Sequence, residues 1–380
     1  MSDGSAIEWT DATVNAINGC SLASPGCTNC YAMRLAGTRM KNHPSRKGLT
    51  VDTKAGPVWN GEVRLVESAL LQPLCWQRSR IIFWNAHGDT FHDAVPDEWI
   101  DLMFAVMAMT PQHKHLVLTK RSARMRAYLS DDNFRGRISD MVCAWPADRI
   151  GTGNEFIADW RLMAHHPLPN VWLGVSVEDQ ARADERIPDL LATPAAGRFL
   201  SCEPLLGPID LRWIAEPDEE KDGVIDALLG CNWIDGMGWG TEFRPVRPGH
   251  EDRVMTRRVC SSEEEILAAR KIDGVIVGGE SGPGARPMHP AWTRSLRDQC
   301  AAAGVDFHFK QWGNIAPLQS ARPVEGEGAG IVAWPDGTIG GGQSERNGGP
   351  GQQMYRAEKK IAGRLLDGVT HDALPWTRQL

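Results

Sequence analysis

Long apolar runs are missing from this chain. None approaches the roughly 20 residues needed to cross a bilayer, although 42% of the 380 residues are apolar, so no membrane partner is expected. The opening Met1-Ser2-Asp3-Gly4-Ser5 has neither the basic region nor the apolar stretch of a secretory signal, and a cytoplasmic location is the expectation. Excess positive charge is also missing: the formal net charge is -7, which excludes a protein that grips duplex nucleic acid by its overall field. The cysteine count of nine is odd, which argues against a disulfide framework and for reduced thiols. No internal repeat is visible.

What the chain does have is alternation. Apolar runs rich in β-branched residues, bounded by turn residues, alternate with amphipathic stretches, the pattern of β-α units and a mostly parallel sheet. Strands are expected at Thr13–Ile17, Ile81–Asn85, His115–Thr119, Val171–Val177, Arg198–Ser201, Gly274–Val277 and Asp306–Lys310. Helices are expected at Tyr31–Lys41, Val66–Gln77, Asp97–Met109, Ser122–Leu129, Asp179–Leu191 and Ala291–Ala303. Seven such units predict an α/β fold, a full or partial (βα) barrel over residues 1–210 and 263–317, with reactive groups gathered at the C-terminal strand ends. The segment 211–262 breaks the rhythm and reads as an insertion over the barrel mouth. Residues 318–380 read as a C-terminal extension, a glycine-dominated loop at Gly326–Gly351 and a closing helix at Tyr355–Leu366.

Three thiols stand out. Cys20, Cys27 and Cys30 fall within eleven residues, between the first expected strand and the first helix. Three thiolates bound to a 4Fe-4S cluster leave one iron open for a substrate or cofactor. Zinc is the alternative, and it needs a fourth ligand that no nearby residue clearly supplies; plain core packing is the third. The other six cysteines are scattered singly and read as small buried hydrophobes. Local basic residues at Lys114, His115, Lys120, Arg121, Arg124 and Arg126 could meet phosphate, and the 15 tryptophans, against three tyrosines, read as core or pocket lining, with a base-stacking platform as the alternative.

The strand ends are chemically rich. Glu178, Glu203 and Glu280 adjoin apolar strands, where a carboxylate is costly unless paired or used. The Cys-x6-Cys-x2-Cys loop, together with Gly174-Val175-Ser176-Val177-Glu178, Ser201-Cys202-Glu203-Pro204-Leu205-Leu206-Gly207-Pro208, Gly278-Gly279-Glu280-Ser281-Gly282 and Lys310-Gln311-Trp312-Gly313, resembles a phage-associated family related to radical S-adenosylmethionine (radical SAM) enzymes. The likeness covers about residues 7–317. The first cysteine interval has six residues, against three in most of that superfamily.

The resemblance implies a radical SAM-like barrel in a phage-encoded protein acting in a bacterial host. Its implied cofactors are a 4Fe-4S cluster on Cys20, Cys27 and Cys30 and S-adenosyl-L-methionine, fed by an external one-electron reductant, so that hydrogen is abstracted from an unreactive carbon. By position it implies cofactor contacts for Asn85 and Asp89 (the methionine amino group), Ser176 and Glu178 (ribose or carboxylate), Gly278 and Gly279 (close backbone approach) and Tyr31 (adenine). Turn capping or turn chemistry is the plainer alternative for Asp89, Ser176 and the glycines. For the substrate it points to Glu203, Glu280, Lys120, Arg121, Lys310, Gln311 and Trp312, with Cys202 as a hydrogen-atom donor or, alternatively, a buried structural thiol. His87 and His92 could move protons or simply bond their loops. The implied reaction is isomerisation of an amino-acid-modified thymidine in phage DNA hypermodification, on a nucleotide or on DNA with the base flipped out. A peptide or small metabolite is the alternative substrate, and a non-catalytic zinc-stabilised binding protein the alternative class.

Overall fold

Seven parallel strands follow one another in sequence order across one curled sheet. The structure, a computed structural model, describes residues 5, 7–144, 167–215, 223–235, 243–244, 255–257, 270–317, 331–340, 351–357 and 362–377. The strands are β1 (Ala12–Val14), β2 (Ile81–Trp84), β3 (Lys114–Thr119), β4 (Val171–Ser176), β5 (Gly197–Cys202), β6 (Gly274–Gly278) and β7 (Asp306–Gln311). They lie side by side in that order, every neighbouring pair parallel. Among the described residues β1 and β7 share no ladder, so the sheet is a half-barrel. All seven expected strands are present. The first is cut short because the chain turns out of the sheet and Ile17–Asn18 pairs antiparallel with Arg64–Leu65.

Side-chain alternation with period two decides both faces of the sheet. Val14, Ile82, Trp84, Val117, Leu173, Val175, Leu200, Val275 and Val277 point outward into the main core against the helices. Ile81, Phe83, Leu116, Trp172, Phe199 and Ile276 point into the lumen, where Trp9, Leu374 and Trp376 join them. Glycines opposite the large rings make this filling possible: a Cβ on Gly174 would come within 2.5 Å of the Phe199 ring, and one on Gly197 within 2.5 Å of Trp172. Trp376 is fully buried, with ring centroids 5.2 Å from Phe199 and 5.7 Å from Trp172. The segment leading to it also bonds the outer edge of β7, Phe309 N donating to His371 O at 2.9 Å, which covers an otherwise open strand. The C-terminal chain thus plugs one end of the lumen.

The helices are α1 (Tyr31–Gly37), α2 (Asp97–Ala108), α3 (Ser122–Leu129), α4 (Phe134–Cys143), α5 (Gln180–Ala192) and α6 (Pro290–Ala303). α5 is capped by Asp179, whose side chain accepts from Arg182 N, and α6 ends on Gly304 at φ 67°, the left-handed stop that glycine adopts cheaply. α1 is shorter than expected, and the expected helix at Val66–Gln77 is a turn at Glu67–Leu70 followed by a 3-10 turn at Gln72–Cys75, because Pro73 cannot donate into a continuing helix. α4 was not foreseen.

The expected helix at Tyr355–Leu366 is corrected. Tyr355 and Arg356 belong to a strand, Gln352–Arg356, in a four-stranded sheet with Ile315–Pro317, Ile331–Ala333 and Ile339–Gly340, while 358–361 lie outside the described residues. Part of the glycine-dominated stretch is therefore a hairpin. Within 211–262, the described pieces form a five-stranded sheet whose start is tied to the helix layer: Asp210 N donates to Gln180 Oε1 at 2.7 Å, and Leu211 N to Gln299 Oε1 at 2.8 Å. Residues 216–222, 236–242, 245–254 and 258–262 of that segment lie outside the described residues. Among the described residues no helix is long and apolar enough to cross a membrane.

Removing the largest ring of the plug tests the lumen packing. Trp376→Ala is expected to lower unfolding stability by about 3–5 kcal/mol, read as a shift of the urea midpoint at unchanged slope; no shift would mean the C-terminal segment does not fill the lumen.

Candidate functional site

A cavity of about 560 Å³ opens at the strand C-termini. One wall is the loop between β1 and α1, which carries Cys20, Cys27 and Cys30, and all three line the cavity. The loop's shape has local causes. Gly19 takes φ 98° where a Cβ would collide with Glu62 O. Pro25 opens a 3-10 turn that ends at Cys27, and Cys30 is the N-cap residue of α1.

Three buried carboxylates hold this loop from below, each leaving a different strand. After β2, Asp89 accepts from Thr119 Oγ1 (2.6 Å), Lys120 N (3.0 Å) and Arg121 Nη1 (3.0 Å). Arg121 in turn donates to Cys20 Sγ at 3.4 Å and to Ser21 O at 3.0 Å. After β4, Glu178 is fully buried between Lys120 and Arg186, the latter at 3.1 Å, and accepts from Ser24 Oγ at 2.6 Å. A Cβ on Gly26 would meet its carboxylate at 2.3 Å, so the loop rests directly on it. After β6, Glu280 accepts from Asn29 Nδ2 (2.9 Å) and from Arg286 Nε (2.9 Å), while Arg286 Nη2 reaches Pro25 O at 3.0 Å.

The electrostatics follow from these pairs. Burial alone would raise the carboxyls of Glu178 and Glu280, but Lys120 and Arg186 beside the first, and hydrogen bonds from Arg286 and Asn29 to the second, bring both below the ordinary carboxylate value. The thiols go the other way. Burial, with the charge of Asp89 adding and that of Arg121 opposing, pushes Cys20 up to about 12, and burial also raises Cys30 against hydrogen bonds from the backbone of Met33 and Ala32. Coordination would therefore have to displace protons from these sulfurs.

Most residues expected from the sequence do converge here. Tyr31, Asn85, Asp89, Ser176, Gly279, Glu203, Glu280, Lys120, Arg121, Lys310 and Gln311 all line the cavity with the cysteines. Several are nonetheless engaged by the protein itself. Asn85, at φ 57°, accepts from Ile17 N (2.8 Å) and donates to Thr90 Oγ1 (2.9 Å), fixing the β2 exit. Tyr31 donates to Ala86 O at 2.8 Å. The basic residues after β3 are likewise committed: Lys120 to Glu178, Arg121 to Asp89, Arg124 to Asp97 and Arg126 to Asp189, with His115 buried in the outer core. They do not form a free phosphate patch.

Four expected site residues stand elsewhere. Cys202 is fully buried on the helix-facing side of β5, its thiol pushed up by burial and then by Cys300 beside it, so it does not face the cavity as a hydrogen donor. Trp312 is buried in the main core and bonds Leu365 O at 3.0 Å. Glu178 lies beneath the cysteine loop. Gly278 is small because Glu203 Oε1 would stand 2.4 Å from its Cβ, and Gly279 because Trp312 O would stand 1.9 Å away; close chain packing explains both. His92 bonds Ser21 Oγ at 2.8 Å and Ala94 N at 3.1 Å, a loop role. Sequence reasoning missed Ser21, Asn29, Trp59, Ser201 and Arg286, which carry no local signal and matter only through long-range contact.

The cavity keeps a short set of polar groups that do not hold the cysteine loop. Glu203 and Lys310 face each other as an ion pair at 2.9 Å, and Ser176, Ser201, Gln311 and His87 line the same space. Among the described residues no group of three or more His, Cys, Asp or Glu side chains is arranged to hold a metal ion. Three thiols in one loop are donors that both iron-sulfur clusters and zinc accept.

Replacing Glu178 with Gln leaves Lys120 and Arg186 uncompensated. The expected cost is about 3–5 kcal/mol at neutral pH, with faster modification of Cys20, Cys27 and Cys30 by a thiol reagent. Because the folded carboxyl lies below its unfolded value, its contribution is present above about pH 4 and is lost as pH falls through the folded value. The variant should therefore show a shallower acid limb in its urea midpoints, and an unchanged limb would refute the anchor.

No curated protein and no solved structure matches this chain. Residues 4–375 match the family described as "Protein of unknown function (DUF5131)", and across nearly its whole length, half-barrel and cysteine-lined cavity included, the chain belongs to the DUF5131 family.

Proposed function

We propose that the protein is a radical SAM enzyme whose 4Fe-4S cluster is held by Cys20, Cys27 and Cys30. The observation that carries this reading is that three thiols from one loop open on the same strand-end cavity, over a floor of paired carboxylates. When bound, such a cluster supplies one electron to S-adenosyl-L-methionine at its open iron, allowing hydrogen to be taken from an unreactive carbon. An external one-electron reductant completes the cycle.

The chain's own residues then have divided tasks. Asp89 orients Arg121, whose guanidinium sits against the Cys20 sulfur and favours its thiolate. Glu178 and Glu280 keep the loop in place and are not free to meet a ligand. Glu203 and Lys310 supply an acceptor and a proton donor side by side, and Ser176, Ser201 and Gln311 supply neutral hydrogen bonds. Trp9, Trp59 and Phe83 give the cavity apolar walls that exclude water; a base could stack on such a face. Cys202 has no part in the chemistry.

For the substrate we favour a nucleobase-linked molecule, with isomerisation of an amino-acid-modified thymidine in phage DNA hypermodification as the sharpest form. A peptide or small metabolite is the second reading, favoured by the net acidity of the chain. A zinc-stabilised binding protein is the reading that metal analysis removes.

Anaerobic reconstitution tests the proposal. The protein is expected to take up about four irons and, with dithionite, to convert S-adenosyl-L-methionine to 5'-deoxyadenosine. Cys20→Ser, Cys27→Ser and Cys30→Ser should each lose iron and cleavage, while Cys75→Ser, at an exposed position, should retain both. Zinc in place of iron, or an intact cluster without cleavage, would overturn the mechanism.

A further inference from the structure

Arg46 is a buried cation with no carboxylate partner among the described residues. It is 6% exposed, and its Nη1 donates to Ser45 O and Ser45 Oγ. Its Nη2 hydrogen-bonds His87 Nδ1, and its Nε has no partner. Among the described residues no acidic side chain forms an ion pair with it. A guanidinium has donors only, so the nitrogen of His87 that faces it must accept. In a neutral imidazole the proton then resides on the other nitrogen.

The rest of the setting fixes the ring. His87 N is held by Asn15 Oδ1 at 3.0 Å, Gly19 N donates to His87 O at 3.1 Å, and the Tyr31 ring stands edge-on at 6.0 Å. His87 lines the cavity, its Nε2 makes no hydrogen bond within the described residues, and that nitrogen is not sealed from solvent. Burial, followed by the charge of Arg46, lowers the imidazole to about 4, in keeping with a ring that stays neutral beside a cation.

The surroundings say what the ring would meet. Residues 38–64 carry Arg39, Lys41, Arg46, Lys47, Lys54 and Arg64 against Asp52 and Glu62, a basic segment in an acidic chain, and Trp59 of this segment is part of the cavity wall. A buried uncompensated charge with a donor relay in front of it favours an anionic oxygen, and the net positive charge of the segment that carries Arg46 favours the more highly charged phosphate over a lone carboxylate.

We propose that His87 is a fixed Nε2-H donor, polarised from behind by Arg46, that receives a phosphate oxygen of the substrate. His87 is then a binding residue rather than a general base, and Arg46 a positioning residue that sets its tautomer. The ligand class rests on the nucleobase-linked reading above; the tautomer does not.

Full-length protein labelled with 15N in its imidazoles, with His87→Gln to assign the signal, tests both parts. One protonated nitrogen and one accepting nitrogen are expected at His87, and inorganic phosphate should shift the protonated one. Arg46→Met should give a mixture of tautomers and remove the phosphate response. In equilibrium dialysis, thymidine 5'-monophosphate should bind at least about tenfold more tightly than thymidine. His87→Leu and Arg46→Met should abolish that difference, and His87→Gln, whose amide N-H stands near the imidazole Nε2-H, should keep part of it.

A proton on Nδ1, or on both nitrogens, overturns the tautomer. Equal loss of thymidine and its monophosphate in His87→Leu marks a structural residue and overturns the binding role. Loss confined to S-adenosyl-L-methionine overturns the phosphate source, and so does a wild-type protein indifferent to the phosphate. A phosphate response that survives failure to cleave S-adenosyl-L-methionine supports this inference and overturns only the radical reading.

Discussion

The cysteine loop stays where it is because three carboxylates buried under it have no better place to put their charge. Asp89, Glu178 and Glu280 leave alternate strands of the half-barrel, and each is desolvated enough that losing its partner would be costly. Contacts run both ways: Arg121 donates to Cys20 and Ser21 and Arg286 to Pro25 O, while the loop's own Ser24 and Asn29 donate to Glu178 and Glu280. Charge pairing below therefore sets sulfur positions above. The same burial raises the Cys20 and Cys30 thiols, so the loop is held in place by groups whose charge does not depend on the sulfurs being ionised.

That division of labour changes how the strand-end motifs are read. Carboxylates beside apolar strands suggest catalysis when seen along a sequence, yet two of the three glutamates singled out this way are structural. Glu203, paired with Lys310 across the ends of β5 and β7, lines the cavity without bonding the cysteine loop, whereas Glu280 lines it while holding that loop. Likewise the two glycines after β6 do not make room for a ligand. They make room for Glu203 and for the backbone of Trp312. The polar groups that line this cavity without side-chain bonds to the cysteine loop include the Glu203–Lys310 ion pair and the ring of His87, backed by Arg46.

Much of the scaffold was legible because its signals are local. Val171–Ser176, buried at every position, and the 3.6-residue pattern of Gln180–Ala192 with Asp179 as cap declare themselves within a dozen residues. The errors fall where a distant partner wins. Tyr355 and Arg356 join a strand because Ile315–Pro317 and Ile331–Ala333 offer backbone ladders that no local pattern announces. Pro73 stopped a helix that periodicity alone would have continued.

By itself the sequence determined seven strands in order, helices between them, and three thiols in the one loop that a parallel β-α fold turns toward its strand C-termini. The tertiary structure alone decided which face each strand residue takes and whom each charge meets. Cys202 and Glu203 are neighbours that the strand pleat sends to opposite sides, and the curl of the sheet makes one side the helix-packed core and the other the cavity. Ser24 meets Glu178 across 154 positions, and Trp376 closes a lumen begun by Trp9. Periodicity is a property of a few consecutive residues, whereas desolvation and charge pairing belong to the curled sheet, and only its curling brings those partners within reach.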